Sequence, residues 1–209
     1  MHGTIPQKVG RLVANLALHP RYVSRYVAHN VFNGKSPLDL ETPWFSYAAI
    51  DFLDKYLQPG MVVGEYGSGG STLFFARRVK SVYSIEDNVH WFERVKQRLA
   101  VKRISNVTIG VFPFDFKSPV GFENSAYLRS MPDRQCDVIV VDGTEEWIQV
   151  RPTCFRFCEE RIKPGGIIVL DDSWRYPELR TGNKARQVEI FRSVGPCRPG
   201  VTSTNVFFY

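Results

Sequence analysis

From residue 61 onward, short apolar segments rich in β-branched residues alternate with segments of helical periodicity. This alternation constrains the fold more than any other feature of the chain. It predicts strands at 61–66, 81–85, 107–111, 137–141, 167–170, 187–194 and 202–208, and helices at 44–57, 72–79, 89–101 and 147–162. The segment 137–141 is almost continuously β-branched, which is typical of a parallel strand buried on both faces. The pattern therefore predicts an α/β fold with a doubly wound, mostly parallel seven-stranded sheet and a C-terminal antiparallel hairpin.

The first 40 residues follow a different pattern. Residues 5–33 combine apolar positions at helical spacing with basic residues, which predicts one or two short helices before a turn-rich boundary at 36–43. We therefore divide the sequence into an N-terminal helical appendage, residues 1–40, and a single domain, residues 41–209. No apolar run approaches the roughly 20 residues of a membrane-spanning helix, so no transmembrane segment is predicted.

The formal net charge of +6 is unevenly distributed along the chain. Residues 1–40 contain five basic residues and one acidic residue, residues 173–209 contain six basic and two acidic ones, and the middle is net negative. A Lys/Arg tract of the kind found in nucleic-acid-binding tails is absent from the sequence. The distribution therefore predicts a small-molecule substrate, with an acidic one favoured, and no nucleic-acid partner.

A glycine-rich turn follows the first predicted strand, in the sequence Glu-Tyr-Gly-Ser-Gly-Gly-Ser-Thr at residues 65–72. In a doubly wound sheet, ligands bind outside the carboxyl ends of the strands, where glycine lets the backbone approach a ligand closely. The carboxylate of Glu65 would repel a pyrophosphate but suits a cationic amino group. The glycine spacing also departs from GxGxxG, so the turn argues against a dinucleotide.

The next acidic strand end is Glu86, about 20 residues past the glycine turn. A carboxylate at that position is placed to accept hydrogen bonds from both hydroxyls of a ribose. The alternative is a capping turn for the following helix, a role for which Asp87 and Asn88 are also suited.

The glycine turn and the later Tyr-Ser-Ile-Glu at residues 83–86 resemble motif I and the next acidic strand end of class I S-adenosylmethionine-dependent methyltransferases. The resemblance runs from about residue 41 to the C-terminus, because the final hairpin is similar to the antiparallel seventh strand of that fold. It implies S-adenosylmethionine as the cofactor, with its methionine part at the glycine turn and its ribose at the second acid. The cofactor-binding residues predicted in this way are Glu65, Gly67, Ser68, Gly69, Ser71, Glu86, Asp115 and Asp142.

Two of these residues fit the resemblance less directly. Ser71 stands where the family often has glycine, although its hydroxyl can still donate a hydrogen bond. Asp115 follows the third strand, where family members often place a polar residue near the adenine. The alternative for Asp115 is a loop aspartate without that role.

Three carboxylates follow the fourth and fifth predicted strands, namely Asp142, Asp171 and Asp172. Like charges so close together are costly unless a cation or a shared proton relieves them, and oxygen ligands suit Mg²⁺. The arrangement resembles metal-dependent O-methyltransferases of catechols and sugars, which implies these three aspartates as tentative Mg²⁺ ligands. Without a metal, Asp142 or Asp172 is the candidate catalytic general base.

The sequence therefore predicts an S-adenosylmethionine-dependent methyltransferase that modifies a hydroxyl group on a small molecule, a sugar or a phenol. Two alternatives remain open: an aminopropyltransferase-like enzyme, and a basic module that binds or modifies nucleic acid. The four cysteines contain no CxxC pair, which favours a reducing compartment and hence the cytoplasm. The sequence leaves homo-oligomer formation open.

Overall fold

A computed structural model of the chain describes residues 4–31 and 34–209. In these ranges, seven strands form one sheet in the order β3-β2-β1-β4-β5-β7-β6. The strands are β1 (Val62–Tyr66), β2 (Ser81–Glu86), β3 (Val107–Val111), β4 (Val138–Val141), β5 (Ile167–Leu170), β6 (Gln187–Val194) and β7 (Val201–Phe208). The first five strands are parallel to one another, whereas β7 pairs antiparallel with both β5 and β6. The predicted fold class and the C-terminal antiparallel hairpin are confirmed.

Some helices precede β1 in the chain, and others connect the first five strands. They are α1 (Ile5–Leu18), α2 (Val23–Asn30), α3 (Pro37–Leu40), α4 (Tyr47–Tyr56), α5 (Gly70–Ala76), α6 (Val89–Val101), α7 (Ala126–Arg129) and α8 (Val150–Glu159). Short 3₁₀ turns lie at Pro20–Tyr22, Phe122–Asn124, Ser173–Arg175 and Pro177–Arg180. In the ranges that the structure covers, no helix is both long and apolar enough to cross a membrane.

The central strand β4 is buried on both faces, as its β-branched sequence predicts. Val138 and Val140 belong to the core on one face of the sheet, and Ile139 and Val141 belong to the core on the other face. All four side chains are fully buried. Since β4 neighbours β1 in the sheet, the chain reverses its winding direction between these two strands, and a crevice opens at their carboxyl ends.

Helix boundaries differ from the predicted ones where a side chain or a turn sets the end. Helix α4 begins only at Tyr47 because the Ser46 hydroxyl accepts a hydrogen bond from the amide of Ala49, at 3.3 Å. Helix α5 begins earlier than predicted, directly at the glycine turn, because the Thr72 hydroxyl accepts a hydrogen bond from the amide of Gly69, at 2.9 Å.

The described part of residues 1–40 packs on the same core as the sheet. Tyr22 and Tyr26 are buried in the cluster that also contains Val63 of β1 and Val138 and Val140 of β4. The side chain of Asn15 accepts a hydrogen bond from the amide of Val194 on β6, at 3.0 Å. The helices predicted within 5–33 are thus α1 and α2, and residues 32 and 33 lie outside the described residues. The division into an appendage and a domain stays a prediction.

Candidate functional site

A cleft of about 870 Å³ opens at the carboxyl ends of the parallel strands. Its walls come from the turn after β1, the start of α6, the segments after β4 and β5, the β6–β7 turn and α1. The predicted site residues that line it are Gly67, Ser68, Gly69, Ser71, Glu86, Asp142 and Asp172. A cleft of this volume is large enough to bury a drug-sized organic ligand.

Position 67 requires glycine because its backbone conformation is left-handed and because the end of β4 lies in close contact with it. Gly67 has a φ of +88°, and a Cβ added there would overlap the carbonyl oxygen of Asp142. At Gly69 an added Cβ would meet only the Trp91 ring, at 3.6 Å. The turn after β1 therefore packs against the end of β4 on one side and leaves bare backbone facing Trp91 on the other.

The carboxylate of Glu86 accepts four hydrogen bonds at the end of β2. One oxygen accepts from the amide and the hydroxyl of Ser68, at 2.9 and 2.5 Å, and the other accepts from the amides of Asp87 and Asn88. The capping role belongs to Asn88, whose side chain accepts a hydrogen bond from the Trp91 amide at 2.9 Å. Glu86 is therefore held in a fixed position on the cleft wall.

Glu65 lies beneath the cleft rather than on its surface. Its side chain is fully buried and accepts hydrogen bonds from the hydroxyls of Ser71, at 2.8 Å, and Thr72. Burial raises the pKa of Glu65 to about 7, even though these two hydrogen bonds favour the charged form. Glu65 and Ser71 thus fix the start of α5 together, and the direct cofactor contact predicted for Glu65 stays a prediction.

Asp115 lies away from the cleft, on an exposed turn. Its side chain accepts a hydrogen bond from the amide of Lys117 at 3.0 Å, which is a local turn contact. It is absent from the residues that form the cleft wall. The structure therefore favours the alternative interpretation, a loop aspartate, while its predicted adenine contact stays a prediction.

The strand-end aspartates lie among arginines. Arg151 pairs with Asp142 at 3.0 Å, and Arg198 pairs with Asp172 at 3.0 Å and with Asp171 at 3.7 Å. Asp171 is buried and also accepts a hydrogen bond from the Thr204 hydroxyl. The two guanidinium groups supply the positive charge that close carboxylates require.

These contacts do not fit a Mg²⁺ site at Asp142, Asp171 and Asp172. Among residues 4–31 and 34–209, no three His, Cys, Asp or Glu side chains are grouped so that they could hold a metal ion. The oxygens that would serve as ligands accept hydrogen bonds from arginine and threonine side chains instead. The metal ligand set implied by the resemblance is therefore not assembled in this structure.

The two aspartates predicted as general bases have different electrostatic surroundings. Burial raises the pKa of Asp142 to about 6, although the charge of Arg151 opposes this shift. Asp172 is also partly buried, but Arg198 and the Thr202 hydroxyl hold its pKa below the usual range. Of the two, Asp142 is thus the better proton acceptor near neutral pH.

Several cleft residues were not predicted from the sequence. They are Lys8, Arg11, Trp91, Arg151, Glu145, Arg175 and Arg198. They come from α1, α6, α8 and loops far apart in the chain, so no local motif contains them.

Comparison with known proteins agrees with this fold and cleft. The profile of a family described as "Methyltransferase domain" matches residues 65–173, just over half of the chain. The chain therefore belongs to this family of class I S-adenosylmethionine-dependent methyltransferases. Among curated proteins, none matches the sequence.

Solved structures with the same fold have distant sequences. One is a Klebsiella pneumoniae protein provisionally described as an O-methyltransferase, with 16% identity, a TM-score of 0.59, and coverage of 97% of this chain and 98% of that one. A second is a Streptococcus mutans protein provisionally described as a methyltransferase, solved in complex with SAH, with 12% identity, a TM-score of 0.57 and coverage of 84% and 99%. A third is the tRNA methyltransferase TrmI from Aquifex aeolicus, with 13% identity, a TM-score of 0.55 and coverage of 83% and 76%. At these identities the likeness shows the fold alone.

The cleft fits the S-adenosylmethionine that this family uses. The glycine turn lines the cleft next to the Trp91 ring, and the carboxylate at the end of β2 lines the same cleft. The residues placed to hold the cofactor are Gly67, Ser68, Gly69 and Glu86.

Proposed function

We propose that the protein methylates a hydroxyl group on a small molecule, a sugar or a phenol, with Asp142 as the general base. The observation that carries this proposal is the position of Asp142 on the cleft wall, with a side chain 21% exposed and a raised pKa. A carboxylate of this kind is ionised at neutral pH yet basic enough to accept a proton from a hydroxyl group.

One half of the cleft serves the cofactor. S-adenosylmethionine, when bound, supplies an electrophilic methyl group. Glu86 would then accept hydrogen bonds from the ribose hydroxyls, in place of the rotatable hydroxyl of Ser68 that occupies one of its oxygens. The backbone of Gly67 to Gly69 would lie beside the ligand, next to Trp91, whose indole N–H donates a hydrogen bond to the carbonyl of Ser68 at 2.6 Å.

The other half of the cleft orients the acceptor. Arg151 is held by the carbonyls of Gly143 and Asp171, at 3.0 and 3.1 Å, and pairs with Oδ1 of Asp142. This arrangement fixes the plane of the carboxylate, so that its Oδ2 can accept a hydrogen bond from an acceptor hydroxyl. Proton transfer to Asp142 makes the acceptor oxygen more nucleophilic as it attacks the methyl group.

The test compares Asp142→Asn with Asp172→Asn. We expect Asp142→Asn to lower kcat by about 10²–10⁴-fold, because a positioned general base contributes that much. S-adenosylhomocysteine binding, measured by calorimetry, should change little in this variant. In the unmodified protein, kcat should rise with pH through about 6 as Asp142 loses its proton, and this rise should be absent from the variant.

Three results would contradict the proposal. The first is the absence of binding of both S-adenosylmethionine and S-adenosylhomocysteine. The second is a larger loss of kcat in Asp172→Asn than in Asp142→Asn. The third is activity of one of the two alternative kinds. The protein would then transfer an aminopropyl group from decarboxylated S-adenosylmethionine, or it would methylate nucleic acid in preference to small hydroxyl compounds. A cytoplasmic location and the assembly state stay predictions.

A further inference from the structure

We propose that the methyl acceptor carries an anionic group, a carboxylate or a phosphate, which Lys8 and Arg11 of α1 bind on the cleft wall. This inference rests on the proposed function, because it names the acceptor class of the same site. It assigns a specificity-determining role to a helix outside the residues that match the methyltransferase family.

The position of α1 brings both basic side chains to the cleft. The C-terminal half of the helix is anchored, since Leu12 and Leu16 pack against the core and Asn15 accepts the hydrogen bond from Val194. Lys8 and Arg11 lie before these anchors in the helix, and both are part of the cleft wall. Lys8, Arg11 and Asn15 lie on one face of the helix, at positions i, i+3 and i+7, so the hydrogen bond of Asn15 also orients the two cationic side chains.

Three arginines of the cleft wall are already engaged by carboxylates. Arg151 pairs with Asp142, Arg198 pairs with the aspartates after β5, and Arg175 pairs with Glu145 at 3.0 Å. Lys8 differs, because no carboxylate of the described residues lies within ion-pair distance of its ammonium group.

The neighbouring sequence leaves this positive charge uncompensated. Residues 4–31 contain four Lys and Arg residues and no Asp or Glu, so α1 brings no acidic side chain to the cleft. Glu86 and Asp87 line the wall at the end of β2, which three strands separate from β7, one of the two strands that α1 contacts. An anionic group on the acceptor is therefore attracted to the side of the cleft that α1 forms.

Aromatic side chains line the same cleft. The ring of Trp44 is 47% exposed and has the Arg198 guanidinium over it, at 5.0 Å from the ring centroid. Trp44 and Trp174 both line the cleft. A phenol or sugar ring can thus pack on indole while its hydroxyl reaches Asp142 and its anionic group reaches α1.

Matched compounds that differ by one anionic group provide the test. The S-adenosylhomocysteine-loaded protein is titrated by calorimetry with catechol and 3,4-dihydroxybenzoate, and with glucose and glucose 6-phosphate. Exposed ion pairs are individually weak, so we expect two of them to make the anionic member of a pair bind about tenfold more tightly. The double variant Lys8→Gln/Arg11→Gln should lose this preference.

The control is Lys55→Gln/Lys80→Gln, which removes the same charge from two exposed residues that do not line the cleft. It should keep the tenfold preference, and high salt should reduce that preference in the unmodified protein. The inference is overturned if neutral and anionic members bind equally, if none of the four compounds binds, or if Lys8→Gln/Arg11→Gln keeps the preference. Failure of the proposed function is recognised separately, because S-adenosylhomocysteine itself would then not bind in the first step.

Discussion

Replacing Gly67 with alanine tests how tightly the turn after β1 packs against the end of β4. The φ of +88° costs an alanine about 1 kcal/mol. The added Cβ would also overlap the carbonyl oxygen of Asp142 and lie 2.9 Å from its carbonyl carbon. To relieve this overlap, the backbone must separate where the amide of Asp142 donates to the carbonyl of Tyr66, which costs about 2 kcal/mol more. We therefore expect the free energy of unfolding to fall by about 3 kcal/mol.

The matched control is Gly121→Ala. Gly121 has a similar φ of +79°, but within the described chain its added Cβ would meet no atom within 4 Å. Only the backbone cost should remain, about 1 kcal/mol. For a chain of this size each kcal/mol lowers Tm by about 2–4 °C, so we expect losses of about 6–12 °C for Gly67→Ala and about 2–4 °C for Gly121→Ala. Thermal unfolding followed by circular dichroism measures both, and equal Tm values would refute the packing argument.

Three further variants test the electrostatics of the site. Glu86→Gln should weaken S-adenosylhomocysteine binding in calorimetry by about 10–100-fold, because hydrogen bonds to a charged group are lost; an unchanged Kd would contradict the ribose role. The pKa of Glu65 rises from about 4.5 to about 7 on folding, so its contribution to stability is present below pH 4.5 and lost as the pH rises through 7. Glu65→Gln should therefore be more stable than the parent at pH 8 by up to about 3 kcal/mol, and similar at pH 4.5; urea unfolding at both values measures this. Arg198→Gln should lose about 3 kcal/mol at pH 8, because the charges of Asp171 and Asp172 lose their partner, and less at pH 5, because burial raises the pKa of Asp171 and lower pH favours its neutral form. Equal losses at the two pH values would count against that pairing.

The fold is predicted well from the sequence because the apolar pattern that specifies each strand lies within a few consecutive residues. A strand buried on both faces must be apolar at every position, and 137–141 shows this directly; the structure has β4 at Val138–Val141. Helix ends are predicted less well. The predicted helix 147–162 occupies only Val150–Glu159, because capping and packing in three dimensions decide where it stops.

The site is predicted in part for the same reason. Parallel strands end at one edge of the sheet, so acids at strand ends converge there, and Glu86, Asp142 and Asp172 line one cleft. Arg151 and Arg198 could not be predicted, because Arg198 lies 26 residues beyond Asp172 in the turn between β6 and β7. Glu65 is a strand-end acid whose side chain is fully buried, and the sequence pattern does not distinguish such an acid from one on the cleft wall.

The two arginines change what the strand-end carboxylates can do. A metal ion would lower the pKa of a bound hydroxyl group directly, whereas a guanidinium group cannot take a proton from a hydroxyl and only fixes and balances the carboxylates. Proton removal at this site therefore requires a basic side chain. Asp172 is stabilised in its charged form by Arg198, which makes it a poor base, whereas burial gives Asp142 a raised pKa and leaves it on the cleft wall. The same arginines that replace a metal as the source of positive charge thus determine which of the two aspartates can act as the base.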